Sequence, residues 1–182
     1  MMQAQSKPSY PETRFSRFVE AALVSLGVWT GVIWLLLLLV IMINVIARYW
    51  FAQGFIELEE LQWHLYSGGF LIGLTYAFVL DAHVRVDVLR QRWSAVTQAW
   101  VELYGIMVLL LPFLVLVIYA SVPLVQYSFS TAEISEAPGG LPFRWLIKGL
   151  LPVSFVLLVL AALARLARVS SFLFNWPEKV QS

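Results

Sequence analysis

The sequence predicts an all-α membrane protein: four transmembrane helices, N and C termini cytoplasmic, and an interfacial amphipathic helix before span 3. Three observations carry this expectation. The 182-residue chain is 60% hydrophobic and 13% charged, with mean hydropathy +0.80, against roughly 45–50% apolar and 25% charged in soluble domains. Its charges are clustered, leaving four long uncharged apolar runs. Its Lys and Arg fall unevenly on the segments between those runs. At this length one membrane domain over residues 1–182 is expected.

Residues 1–14 are polar and carry Pro8 and Pro11, which predicts a mobile tail. Residues 21–47 form the first uncharged run, 27 residues long. Residues 61–80 form the second, with 20, and 103–132 the third, with 30. The fourth, 149–164, has 16 and extends backward through Leu146 and Ile147, giving a span of about 145–166. Arg144 and Lys148 can snorkel at its start. Residues 170–182 form a polar C-terminal tail. A helix crossing the hydrocarbon core needs about 20 mainly apolar residues. In lipid the backbone must satisfy its own hydrogen bonds, which leaves helices or a closed barrel. The runs do not alternate with period two, so they read as helices. The first is too long for a signal peptide and no small-x-small cleavage site follows it.

The loops assign the sides. The N-terminal tail, the 81–102 segment and the C-terminal tail hold nine Lys and Arg; the other two loops hold Arg48, Arg144 and Lys148. That asymmetry places both termini in the cytoplasm. The outer loops carry Glu57, Glu59, Glu60, Glu133 and Glu136, so the outer face is mildly acidic.

Local patterns add detail. Gly27-x-x-x-Gly31 and Gly69-x-x-x-Gly73 are candidates for close helix approach. Asn44 and Arg48 lie four apart on one face at the outer end of span 1. Glu57, Glu60 and His64 share a face at the outer start of span 2. The common depth predicts that Arg48 pairs with Glu60. Leu89, Trp93, Val96, Trp100 and Leu103 recur at spacings of 4, 3, 4 and 3, which predicts an amphipathic helix over 88–101 in the inner interface. Span 3 would measure about 45 Å against a core of about 30 Å, so it must tilt, bend or project. Pro112 and Pro123 are the expected bends, with Pro152 acting similarly in span 4. Between spans 3 and 4, Pro138 and Gly139-Gly140 stop a helix and Pro142 can start the next. Phe143 and Trp145 would anchor span 4 at the interface.

Several chemistries are excluded. A net charge of +1 leaves no basic excess for nucleic acid. The chain has no cysteine, hence no disulfide, thiolate metal site or Cys nucleophile. No nucleophile elbow, P-loop, dinucleotide fingerprint or H-E-x-x-H is present. His64 and His83 sit 19 residues apart across span 2, about 28 Å of helix, so one subunit cannot clasp a haem between them. No span carries a central carboxylate, as a proton or cation pump would need. Four oily helices with polar ends suit an accessory subunit. A stand-alone small transporter or channel, and a haem or quinone anchor of a respiratory complex, are the alternatives.

The ordered motifs resemble the small membrane subunit of tripartite ATP-independent periplasmic (TRAP) transporters, the DctQ family, in its longer branch. They are Asn44-Val-x-x-Arg48-Tyr49, Glu59-Glu60-Leu61, His83-Val-Arg85-Val-Asp87, Glu133-x-Ser135, Gly139-Gly140-Leu-Pro142, Lys148 and Pro152. The resemblance covers roughly residues 15–170. It implies a separate, non-enzymatic scaffold polypeptide in the bacterial inner membrane, with no cofactor and no metal. Its partners would be a large membrane subunit of the DctM type, a periplasmic substrate-binding protein of the DctP type, and membrane lipid. The large subunit would drive uptake of a small organic anion, often a carboxylate, with the sodium gradient. Asn44, Arg48, Glu60, His83, Arg85, Asp87, Glu133, Ser135, Gly139, Gly140, Pro142 and Lys148 would then serve architecture and subunit contact.

Overall fold

A computed structural model describes residues 10–83 and 93–178. These fold into four helices: α1, Arg14–Phe51; α2, Ile56–Val79; α3, Ala95–Ser130; and α4, Arg144–Phe174. No β-strand occurs among the described residues. The helices follow the uncharged runs but overshoot them, because each continues into its polar flanks.

Local chemistry sets the boundaries. Thr13 caps α1 in a reciprocal box: its hydroxyl accepts from Ser16 N at 3.1 Å, and Thr13 N donates to Ser16 Oγ at 3.0 Å. Ser94 caps α3 by accepting from Thr97 N at 3.2 Å. Residues 105–110 of α3 form a π-turn immediately before Pro112. Proline lacks an N–H and its ring presses on the carbonyl four residues back. A wider turn, with an extra residue, relieves both, and it stands directly ahead of Pro112. Pro123 and Pro152 lie inside continuous α-helix. Helix α4 begins at Arg144 with Phe143 as its left-handed cap (φ 66°), two residues after Pro142.

Helix α4 is the hub, packing on each of the other three, while α1 and α2 form the other broad interface. Gly27 and Gly69 sit at the α1–α2 interface. A Cβ on Gly27 would lie 2.0 Å from the Tyr76 ring, and one on Gly69 would lie 3.2 Å from Trp34. Gly31 and Gly73 meet nothing within 4 Å, so each glycine pair contributes one member to close packing. Val19, Leu23, Ala161 and Ala164 form one buried cluster; Tyr10, Ala99, Leu103 and Val169 form another.

The outward surface is apolar. Trp29, Leu35, Leu38, Leu109, Leu116 and Tyr119 are all more than half exposed. A continuous belt of this kind in water would drive association; hydrocarbon removes that cost. Helices α1, α3 and α4 are long and apolar enough to cross a membrane. Helix α2 is not among them. Gln62, His64, Ser67, Gly68, Gly69 and Thr75 dilute its apolar character, and Gly68, Gly69 and Thr75 are buried against neighbouring helices. Of the four expected crossings, three therefore stand on length and apolarity alone.

Two expectations change. Tyr10 to Thr13 are not part of a loose tail: Tyr10 is 2% exposed and Thr13 1%. Of the expected 88–101 amphipathic helix, the part before Trp93 lies outside the described residues. The remainder, from Ala95, runs without interruption into span 3, because no breaker separates Leu103 from the apolar run.

Candidate functional site

Polar side chains gather at the two ends of the bundle. The loop end carries the α1–α2 and α3–α4 connections; the terminal end carries Tyr10, the end of α2, the start of α3 and the end of α4.

At the loop end, Glu60 is the organising group. It stands in the first turns of α2 and reaches across to the α3–α4 loop. Its carboxylate accepts from the Ser135 hydroxyl and, at 2.6 Å, from the Leu141 amide. The Ser135 and Leu141 bonds, with smaller help from Arg144 and His64, hold its carboxyl below the ordinary value of 4.5, against a desolvation penalty. His64, one turn on, places Nδ1 2.7 Å from the Glu60 carbonyl oxygen. The loop that Glu60 grips is itself tightly folded. Gly140 N donates to Ala137 O at 2.9 Å and Ser135 N to Leu141 O at 3.3 Å. A Cβ on Gly140 would lie 2.4 Å from that of Ser135. Gly139 has φ +80°, and a Cβ there would sit 3.1 Å from Glu57 Oε1. Glu133 closes the loop's other side, accepting from Lys148 Nζ at 2.5 Å. That bond is the main cause of a depressed Glu133 carboxyl.

Arg48 does not pair with Glu60. It pairs with Glu59. The two carboxylates are neighbours on one helix and so point about 100° apart. Glu60 turns with Glu57 and His64 toward the α3–α4 loop, and Glu59 turns toward α1. Asn44, one turn from Arg48, is 6% exposed and its Oδ1 has no hydrogen-bond partner among the described residues.

The predicted site residues are therefore partly assembled. Glu60, Glu133, Ser135, Gly139, Gly140, Pro142 and Lys148 meet at the loop end, with Asn44 and Arg48 beside them on α1. His83 lies at the opposite end, its ring 6.1 Å from that of Phe78. Arg85 and Asp87 fall outside the described residues.

Sequence reasoning missed the terminal end. There Arg165 Nε donates to Glu102 at 2.6 Å and its Nη2 reaches Asp81 at 3.4 Å. Its guanidinium also lies over the Tyr10 ring, 5.2 Å from the centroid. Arg168 Nη1 donates to both oxygens of Glu20, at 3.1 and 2.8 Å, and its Nη2 to the Tyr10 carbonyl at 2.9 Å. The Tyr10 hydroxyl donates to Glu102 at 3.0 Å. One network thus ties the N-terminal segment to α1, α3, α4 and the turn that follows α2. Its signal was present in the sequence. Glu20, Asp81, Glu102 and Arg165 are the charges that bound the apolar runs on one side. Three carboxylates at that depth require cations.

Chemically, both ends clamp. Arg48, Lys148, Arg165 and Arg168 each bond a carboxylate of another helix or loop. Among the described residues no group of three or more His, Asp and Glu gathers to hold a metal.

A family model described as "Tripartite ATP-independent periplasmic transporters, DctQ component" matches residues 37–171. That range includes all of α2 and α3, most of α4 and the C-terminal part of α1. No curated protein matches the chain, and no solved structure does.

Proposed function

The chain belongs to the DctQ family, the small membrane component of TRAP transporters, and from that premise we propose that it is the static scaffold of such a transporter. The family works with a large membrane subunit and a periplasmic binding protein. In this proposal all four helices cross the bacterial inner membrane, α2 included, with the terminal end in the cytoplasm and the loop end in the periplasm. The large subunit moves a small organic anion, a carboxylate, inward on the sodium gradient after the binding protein delivers it.

The observation that carries the scaffold role is the placement of charge. No Asp, Glu, Lys or Arg lies within residues 21–47, 61–80, 103–132 or 149–164, so the middle of the bundle has no charged side chain with which to carry an ion. The charged groups sit at the ends, where Arg48, Lys148, Arg165 and Arg168 bond carboxylates. The α2 crossing is supported by its packing between α1 and α4, which spares its polar residues from lipid. The orientation is supported by nine Lys and Arg on the terminal side against three on the other. Glu60, Ser135, Gly139, Gly140, Pro142, Glu133 and Lys148 shape the periplasmic loop as a preformed surface. Asn44 and Arg48 flank it, and His83, Arg85 and Asp87 belong to the cytoplasmic link.

Deletion and complementation test this. Cells lacking the chain should lose binding-protein-dependent uptake and regain it from a plasmid copy. An affinity tag on the chain should bring the large subunit through mild detergent. Undiminished uptake in the deletion strain would overturn the proposal.

A further inference from the structure

We infer that the cleft between the loop-end turns of α1 and α2 binds the headgroup of an aminophospholipid, with the phosphate diester against Arg48 and the primary ammonium between Glu59 and Asn44. Its position at the bilayer surface rests on α1 and α2 both crossing the membrane, as proposed above.

The cleft has a volume of about 400 Å³, within the range of small-molecule sites. Its polar groups converge. Arg48 and Glu59 offer opposite charges, with side chains 58% and 45% exposed, so each keeps capacity beyond their mutual bond. A guanidinium has five N–H donors, and its flat fork suits a phosphate. Deeper in the same cleft is Asn44, more than nine-tenths buried, whose Oδ1 lacks a partner among the described residues. A buried amide oxygen without a donor is costly to keep. An ammonium has three donors and can serve the Glu59 carboxylate and, once the Asn44 amide turns into the cleft, the Asn44 oxygen as well.

The walls point to lipid rather than to a soluble anion or a polypeptide. Ile41 and Val45 line the membrane-facing part of the cleft, where acyl chains would enter. Trp63 and Tyr49, 69% and 81% exposed, stand at its rim, as aromatic side chains do at the headgroup level. A choline headgroup would carry the same charges but donate no hydrogen bond to Asn44. A glycerol headgroup would offer Glu59 no cation.

The full chain, delipidated in mild detergent, would be mixed with equal amounts of phosphatidylethanolamine, phosphatidylcholine and phosphatidylglycerol and read by native mass spectrometry. Phosphatidylethanolamine should be retained about tenfold over the other two, the ratio expected from one charge-assisted hydrogen bond. Glu59→Gln and Asn44→Leu should each erase the preference; if Asn44→Leu does not fold, the exposed Glu59→Gln decides alone. Inorganic phosphate at millimolar concentration should not displace the lipid. Equal retention of the three lipids, a preference surviving both variants, or full displacement by phosphate would overturn the inference. So would loss of the lipid from the chain co-purified with its large subunit, which would make the cleft a subunit contact. Lipid retention by the isolated chain does not depend on transport, so its failure and that of the scaffold proposal are separate results.

Discussion

The two ends of the bundle solve the same problem differently. At the terminal end, Arg165 and Arg168 are shared among Glu20, Asp81, Glu102 and Tyr10, and every charged side chain in the network is between 12% and 21% exposed. At the loop end, Arg48 and Glu59 lie about half open to solvent, and Lys148 with Glu133 about a quarter open. The loop-end fold rests on backbone geometry as much as on charge: Glu60 holds the Leu141 amide, and two glycines let the loop close. The contrast teaches that charge count does not measure fixation. Poorly solvated charges attract strongly and cannot be left single, whereas exposed pairs add little. The terminal end is the permanent lock, and the loop end is a shaped surface.

The sharpest way to break the comparison is to remove the lock. Arg165→Leu takes a shared cation from Asp81 and Glu102 and should cost about 3 kcal/mol, read as a lower midpoint of tryptophan-monitored unfolding in detergent; an unchanged midpoint would remove the distinction between the ends. Next comes Gly27→Ala, which drives a methyl into the Tyr76 ring and should cost about 1–3 kcal/mol by overpacking. Gly31→Ala, with open space around it, should be close to neutral in the same assay. Glu60→Gln should leave the unfolding midpoint nearly unchanged. It should also make the 133–143 loop several-fold more sensitive to limited proteolysis, because the Ser135 and Leu141 bonds lose their charged acceptor.

The same loop should respond to acid. Glu60 and Glu133 have folded-state carboxyl values below 4.5. A depressed value means that the folded loop favours the charged form. The stabilisation is therefore fully present above the unfolded value and is lost as pH falls below 4.5 through the folded values. The mobility of a spin label on Ile134→Cys, an exposed loop position, should rise across that interval and stay flat from pH 5 to pH 7. The smallest effect belongs to Arg48→Ala, within about 0.5 kcal/mol, since its pair with Glu59 is exposed. A large loss there would show that solvent exposure misjudges the loop end.

Much of this was legible in the residues. Uncharged runs marked the helices, because charge is what hydrocarbon excludes. Gly139-Gly140 marked the loop turn, because only glycine fits where the chain comes so close to Ser135 and Glu57. The spacing of Glu57, Glu60 and His64 grouped them on one face; that face was expected to meet Arg48, and Glu57 and Glu60 meet the α3–α4 loop instead. What the sequence could not supply was azimuth. Depth followed from distance to an apolar run, but whether Arg48 meets Glu59 or Glu60 depends on one residue's turn around α2. Arg165 and Arg168 were weighed only as topology markers, since their partners are 63 to 158 positions away. Helix α2 showed the converse limit. Its Gly68, Gly69 and Thr75 are buried against neighbours, and burial is invisible in a hydropathy count.

The static scaffold can be tested by distance. The chain has no cysteine, so Phe18→Cys and Val96→Cys, both at exposed positions of the terminal end, accept spin labels without background. The labelled chain would be reconstituted with its large subunit and measured by pulsed electron resonance, with and without sodium, binding protein and substrate. A rigid lock predicts one distance population that is identical in every condition. A second population appearing under transport conditions would contradict it.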